Sequence, residues 1–375
     1  MGSTQMDDTM LKRIRITGYR SIRDASIDLD NINILIGPNG GGKSNFLSAL
    51  ELIQKIVSQE LQTTISRYGV ISLLYNGPKE TKNISIETSF ENDIYGFSLE
   101  LTEDERMIFS NEYLCQTSED TRSSIGKGYF ESKLIERTPD KVTDHIISAK
   151  TWRVYHFDDT SRTSLMRKSC SVHDNLYLMP DARNIAPFLL RLKEEYLIDY
   201  NNIVSSIRIV APFFDDFILI PNTDTEEVML KWKRIDHNDI MWPNQLSDGT
   251  LRFVCLTTLL LQPKRLRPTM IILDEPELGL SPQAIICLAE MIKSVGKTDQ
   301  LIISTQSTDL IDEFTAKDVI VVKDDGSGTT FSRLDLERLS HWLDDGYTFS
   351  MLWRKNLLTS DYLCLGLIYA EDPSK

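Results

Sequence analysis

Residues Gly37-Pro38-Asn39-Gly40-Gly41-Gly42-Lys43-Ser44 satisfy the spacing G-x-x-x-x-G-K-[ST]. That spacing suits the capture of a polyphosphate. Glycines let the backbone bend until successive N–H groups point inward at one anion, and the helix that follows adds its positive end. In such a loop Lys43 reaches the β- and γ-phosphates and the Ser44 hydroxyl holds Mg²⁺. A second reactive group lies far downstream, where Thr269-Met270-Ile271-Ile272-Leu273 ends in Asp274-Glu275-Pro276. A buried strand that delivers two carboxylates at its C-terminal end fits a site at the edge of a parallel sheet. Asp274 is expected to hold Mg²⁺, through water or the Ser44 hydroxyl, and Glu275 to orient and deprotonate an attacking water. A third group is Gln245-Leu246-Ser247-Asp248-Gly249-Thr250-Leu251-Arg252. A serine cap and a glycine at a helix start make another anion seat, although Ser-Asp-Gly is equally an ordinary turn.

The flanking pattern supplies the elements that must hold these groups. Asn31-Ile32-Asn33-Ile34-Leu35-Ile36 reads as a buried strand running into the loop, and Phe46, Leu47, Leu50, Ile53 and Val57 recur at helical spacing behind it. That helix is expected from Lys43 to about Gln62. Leu11 to Gly18, then Ile27 and Leu29, add two strands before the loop strand, with short turns at Asp24 and Asp30-Asn31. Asn76-Gly77-Pro78 breaks the chain after the helix. Ile84-Ile86 and Tyr95-Phe97-Leu99-Leu101 read as antiparallel strands paired across Glu91-Asn92-Asp93, with Arg106 to Tyr113 as a third. The polar, aperiodic stretch from about 116 to 180 predicts loops and a mobile insert. From Pro187 to Val210, apolar residues at three- or four-residue spacing predict one long amphipathic helix, for core packing or as an interaction arm. Val228-Leu230-Trp232 alternates as a strand, and Phe253 to Leu261 carries the helix after the serine cap. No internal repeat and no extended heptad array appears.

Bulk properties bound the class. The chain has 375 residues, 41% hydrophobic and 26% charged, the proportions of a soluble globular protein. No apolar run approaches the roughly eighteen residues needed to span a bilayer. The first ten residues are polar and acidic and do not read as a secretory leader. Five scattered cysteines suggest reduced thiols and a cytoplasmic home, and five dispersed histidines do not suggest zinc. A net charge of −14 argues against broad DNA coating. Local cationic clusters remain at Lys12-Arg13-Arg15, Arg20-Arg23, Lys231-Lys233-Arg234 and Lys264-Arg265-Arg267, each more often a solvated face than a nucleic-acid site.

Gly37–Ser44, Leu246–Arg252 and Asp274–Glu275, in that order and at those distances, resemble an ABC-type ATPase. Leu246-Ser247-Asp248-Gly249-Thr250 resembles the ABC signature, with Asp248 in place of its usual first glycine. Gly18-Tyr19-Arg20-Ser21-Ile22 resembles the opening segment of RecF, SMC and related repair ATPases. Leu273 to Pro282 and Ile303-Ser304-Thr305-Gln306-Ser307 are similar to a family of stand-alone RecF-like bacterial ATPases, many of them in phage-defence cassettes beside a nuclease-like partner. The resemblance extends through Trp152–Asp158 and Asn184 to the Trp342–Trp353 region, so it covers most of the chain.

The resemblance implies an α/β ABC-ATPase head with a mixed sheet, a helical lobe and an insert, without a long coiled coil. The expected lobes are residues 10–115 with 268–330 for nucleotide binding, 116–267 for the insert and signature, and 331–375 as a C-terminal extension. It implies ATP and Mg²⁺ as ligands. Gly37, Pro38, Asn39, Gly40, Gly41, Gly42, Lys43, Ser44 and Asn45 would hold nucleotide in one copy, and Ser247, Asp248 and Gly249 would clasp it from a second. Ser44 and Asp274 would hold the metal, and Glu275, Gln306 and Lys43 would serve hydrolysis. Arg20 corresponds to an arginine that approaches the nucleotide in repair-type heads, or is a plain surface arginine. Two positions depart from the family pattern: Ser281 replaces a histidine before the proline, and Gln306 replaces the switch histidine. A glutamine can hydrogen-bond a γ-phosphate or a water but cannot carry positive charge, so slow turnover is expected. Gln54, Gln59 and Gln62 do not identify a Q-loop. The function expected is a nucleotide-timed dimerisation switch with an effector partner, DNA contact being possible and no membrane being involved. The alternatives are a transporter ATPase subunit and an ATP-binding scaffold without hydrolysis.

Overall fold

The computed structural model describes residues 10–116, 121–137, 141–237 and 239–358 of the chain; Cys364 lies outside them. Alternation of apolar and charged side chains makes β1 (Arg13–Tyr19) and β2 (Ile22–Asp28) a hairpin that buries Ile14, Ile16, Ile22 and Ile27. Its turn falls at Arg20-Ser21, not at Asp24, which is a strand residue paired with Thr17. The left-handed Arg20 (φ 50°) makes the bend. A β3 (Ile32–Ile36) that is apolar except for the buried Asn33 then leads into the glycine loop and α1 (Lys43–Val57). Phe46, Leu50 and Ile53 on α1 are fully buried, each worth about 1.5–3 kcal/mol.

The helix expected to reach Gln62 stops at Val57. Gln59 takes a left-handed φ of 62°, and α2 (Leu61–Tyr68) starts afresh. Three further strands follow, β4 (Asn83–Ser89), β5 (Asp93–Leu101) and β6 (Met107–Gln116). They extend the hairpin into an antiparallel sheet of order β2-β1-β4-β5-β6, and β7 (Thr121–Gly126) adds the far edge. The segment expected to hold only loops therefore contributes a strand here, and then α3 (Lys141–Ile147). Polar strand residues such as Ser123 and Ser124 hide β7 from a periodicity reading, because an edge strand has little apolar face to bury.

Contacts divide the chain into two compact units, Met1–Trp152 with Ile302–Lys375 and Arg153–Leu301. The lobes read from the sequence placed their boundaries near residues 115 and 268 instead. The second unit opens with β8 (Arg153–Tyr155), which pairs in parallel with β14 (Met270–Asp274), the acidic strand. A short β9 (Cys170–Ser171) follows. The long helix expected from Pro187 to Val210 is two helices, α4 (Ile185–Glu195) and α5 (Leu197–Val210), broken where Tyr196 adopts φ −138°. Next come β10 (Phe214–Ile218), β11 (Glu227–Val228), β12 (Lys231–Arg234) and β13 (Ile240–Met241). Thus Val228 and Trp232 sit in different strands: β11 pairs with β9, and β12 lies between β10 and β13. Helices α6 (Asp248–Leu261) and α7 (Pro282–Val295) pack with α5 as a helical layer.

The chain returns to the first unit within β15 (Gln300–Thr305), followed by α8 (Thr308–Ile311), β16 (Val319–Asp324), β17 (Thr329–Arg333), α9 (Leu336–Asp344) and α10 (Phe349–Arg354). Strand β16 runs parallel to β3 and antiparallel to β17, a mixed arrangement. Among the described residues, no helix is long and apolar enough to cross a membrane, and none exceeds the fifteen residues of α1. Cys115, Cys170, Cys255 and Cys287 are free thiols.

Candidate functional site

In the first unit, Gly37, Gly41 and Gly42 are buried while Pro38, Asn39, Gly40 and Ser44 are exposed, so the loop is anchored at both ends and open in the middle. Lys43 is buried and donates through Nζ to the carbonyl oxygens of Gly37 (2.6 Å) and Pro38 (3.2 Å). The loop thus wraps its own lysine, whose charge is held at the mouth that a polyphosphate would enter. Gly42 has φ 105°, and a Cβ there would stand 2.1 Å from Thr329 Oγ1, so no other residue fits without a shift. Thr329 in turn shares a hydrogen bond with Ser21 Oγ (2.7 Å), which accepts from Asn45 Nδ2 (2.6 Å). Three side chains from β17, the first hairpin and α1 therefore brace the back of the loop, and Asn45 spends its amide on that brace. The donor set and the glycine cradle suit a polyphosphate, which Lys43 and the loop N–H groups would contact, with the Ser44 hydroxyl placed for a metal.

Arg20 lies with its guanidinium 5.7 Å from the Tyr19 ring centre and 5.6 Å from that of Tyr68. Its Nε is buried without a hydrogen-bond partner. Gln306, just after β15, lines a cavity of about 360 Å³ together with Gly37 and Pro38. The structure so brings Gln306 and the start of the glycine loop to one hollow. Gln59 and Gln62 hydrogen-bond the carbonyls of Ser132, and of Met107 and Phe130, and Gln54 bonds Ser58.

In the second unit, Ser247 caps α6, its Oγ accepting from Thr250 N at 3.2 Å. Gly249 packs so closely on the loop after the acidic strand that a Cβ would meet Gly279 O at 2.2 Å. Arg252, one turn on, donates to Leu278 O, to Phe157 O (2.6 Å) and to Asp158 O (3.0 Å), and burial lowers its pKa. Asp248, which stands where a glycine was expected, is 70% exposed and accepts from Arg167 Nη2 at 2.7 Å. Arg167 is itself buried and donates also to Thr160 O (2.9 Å), Pro243 O and Leu246 O (3.2 Å). The substitution thus brings its own counter-charge.

Asp274 ends β14 half-buried, with Oδ2 3.5 Å from His156 Nδ1. Glu275 follows at φ 46°, a left-handed conformation that an L-residue takes at a cost and that is often found at functional sites. Ser281 caps α7 by accepting from Ala284 N at 3.3 Å, a structural duty for the residue that departs from the family pattern. Sequence reasoning missed Arg167 and His156: no local spacing joins them to residues 81 or 118 positions away, and His156 read as a dispersed histidine. Some members of the cationic clusters are paired locally. Arg13 pairs with Asp28, Arg15 with Asp24 (3.0 Å), Lys233 with Asp215 (3.8 Å) and Arg267 with Asp299 (3.2 Å).

A family model described as "AAA domain, putative AbiEii toxin, Type IV TA system" matches residues 32–312. A protein of Methanosarcina acetivorans named "Putative ABC transporter ATP-binding protein" is 31% identical over 85 residues, 22% of this chain and 29% of its own length. The match therefore spans less than a third of that relative. Among solved structures, an SMC head bound to the C-terminal winged-helix domain of ScpA superposes with a TM-score of 0.59 at 16% identity. That superposition covers 88% of this chain and 99% of the other. An SMC head with an extended coiled coil, bound to the C-terminal domain of ScpA derived from Pyrococcus furiosus, gives 0.57 at 15% identity, covering 89% and 98%. These likenesses show the fold, a mixed α/β P-loop NTPase head of the SMC kind.

Proposed function

The chain belongs to that AAA-domain family, and from this premise we propose that it binds ATP with Mg²⁺, hydrolyses it slowly and uses it to time the pairing of two copies. The observation that carries the reading is the seat of Lys43, a buried ammonium ringed by the carbonyls of its own loop at a helix start. A lysine so placed exchanges those neutral acceptors for phosphate oxygens, and the exchange gains charge-assisted bonds. Ser44 would hold Mg²⁺, which offsets charge on the triphosphate when bound, and Asp274 has the chemistry for the same role. Glu275, lifted into a left-handed turn at the end of β14, would orient and deprotonate the attacking water. Gln306 would steady that water through its amide, without the charge that a histidine supplies, and this supports slow turnover.

The signature reading rests on Ser247. Its hydroxyl and the first N–H groups of α6 would form an anion seat, and Gly249 lets the helix tip pack directly on Gly279. In a symmetric pair, the seat of one copy would close on the nucleotide held by the other, so ATP acts as glue and its hydrolysis loosens the pair. A partner effector, such as the nuclease-like partner that accompanies many of the RecF-like ATPases this sequence resembles, would read the paired state; any DNA contact would fall on the local cationic clusters. The transporter alternative rests on the name of one partly matched relative, and co-purification with an integral membrane protein would revive it. Isothermal titration of Lys43→Ala with ATP-Mg²⁺ tests the core of the proposal. Binding should be lost; unaltered affinity would contradict the site.

A further inference from the structure

The cavity beside the phosphate loop has more chemistry than the switch glutamine alone explains. Besides Gly37, Pro38 and Gln306, it is lined by Lys323, Trp353 and Asn356. Lys323 reaches it because β16 runs parallel to β3, with Val321 opposite Ile36. One residue on, Val322 touches Gly37 so closely that a Cβ on the glycine would stand 2.2 Å from Val322 O. The next residue, Lys323, is thereby carried alongside Pro38, at the outer end of the loop. Trp353 arrives on α10 and Asn356 just after it, and α10 is tied to both ends of α8: Ser350 N donates to Asp312 Oδ1 (2.8 Å) and Arg354 Nη2 to Thr308 Oγ1 (3.3 Å). Asn356 holds a left-handed φ of 57°, which asparagine tolerates better than most residues. A cation, two amides and an indole thus converge on the end of the loop where Gln306 stands and where no histidine is present.

We propose that Lys323 binds the terminal phosphate of a nucleoside triphosphate, supplying at this hollow the positive charge that Gln306 cannot carry. The inference rests on the nucleotide-site reading above and deepens it. Lys43 then serves every polyphosphate, whereas Lys323 distinguishes a triphosphate from a diphosphate. Trp353 and Asn356 wall the hollow, so that the terminal charge is met in a partly enclosed space where a charged contact counts for more than it does in water.

The test compares ATP and ADP binding, each with Mg²⁺, by titration calorimetry on the full chain carrying Lys323→Met, Lys323→Arg or Lys43→Ala. With Lys323→Met, ATP affinity should fall roughly tenfold, the scale of one charge-assisted hydrogen bond, while ADP affinity holds; the retained ADP binding also shows that the variant is folded. Lys323→Arg should restore most of the preference. An ATP-to-ADP preference unchanged by Lys323→Met, in a protein whose binding Lys43→Ala abolishes, would overturn the role of Lys323 and leave the nucleotide site standing. Binding that survives Lys43→Ala would remove the nucleotide site itself, and the sensor with it.

Discussion

Replacing Gly249 with alanine tests whether the helix tip at Ser247 works as a rigid clasp. The added methyl would sit 2.2 Å from Gly279 O, whereas ordinary contact begins at 3.4 Å, so one backbone or the other must retreat by about 1.2 Å. Neither can do so freely. Leu278, next to Gly279, is held by Arg252, and Arg252 is pinned by the carbonyls of Phe157 and Asp158. Overpacking of this kind costs about 1–3 kcal/mol. For a unit of roughly 150 residues, each 1 kcal/mol corresponds to about 2–4 °C in Tm, so a fall of roughly 2–12 °C is expected. The displaced α6 tip should also weaken ATP-driven pairing, while ATP affinity stays near that of the parent, because Lys43 and its loop belong to the other unit. Differential scanning fluorimetry reads the first effect and light scattering with ATP-Mg²⁺ the second. A variant with the parent Tm and the parent mass shift would refute the reasoning.

Arg167→Met should cost about 1–3 kcal/mol in urea unfolding, because buried carbonyls of Thr160, Pro243 and Leu246 lose their donor. It should also weaken pairing more than Asp248→Asn does, since the asparagine can still accept from Arg167. At Tyr113, burial and then the hydrogen bond to Glu87 raise the hydroxyl pKa from 10.0 to about 12. The folded chain holds that proton more tightly than the unfolded one, so the contribution is full below pH 10 and is lost as pH rises from 10 towards 12. Unfolding curves taken across that window should show a shallower loss for Tyr113→Phe than for the parent; identical slopes would deny the coupling.

The phosphate loop, the acidic strand and the capped signature helix were legible because each is a local pattern whose chemistry lies in consecutive residues. The breaks at Gln59 and Tyr196 were not, since apolar residues continue at helical spacing through both and only the backbone angles reveal the turn. β7 and β8 were hidden for another reason. β7 has too little apolar face to alternate, and β8 spans only three residues whose partner, β14, lies more than a hundred positions away. Long sequence separation likewise hid Arg167 beside Asp248, His156 beside Asp274 and Lys323 beside the loop. The sequence records Asp248 in place of a glycine but not the buried Arg167 that pairs with it.

The central claim is that two copies grip one nucleotide between them. Light scattering on Glu275→Gln, in which clasping should survive and hydrolysis stop, tests it most directly. With saturating ATP and Mg²⁺ the mass should double and stay doubled, and Ser247→Arg introduced into the same chain should abolish the change. A mass equal to that of one chain, with and without ATP, would contradict the account.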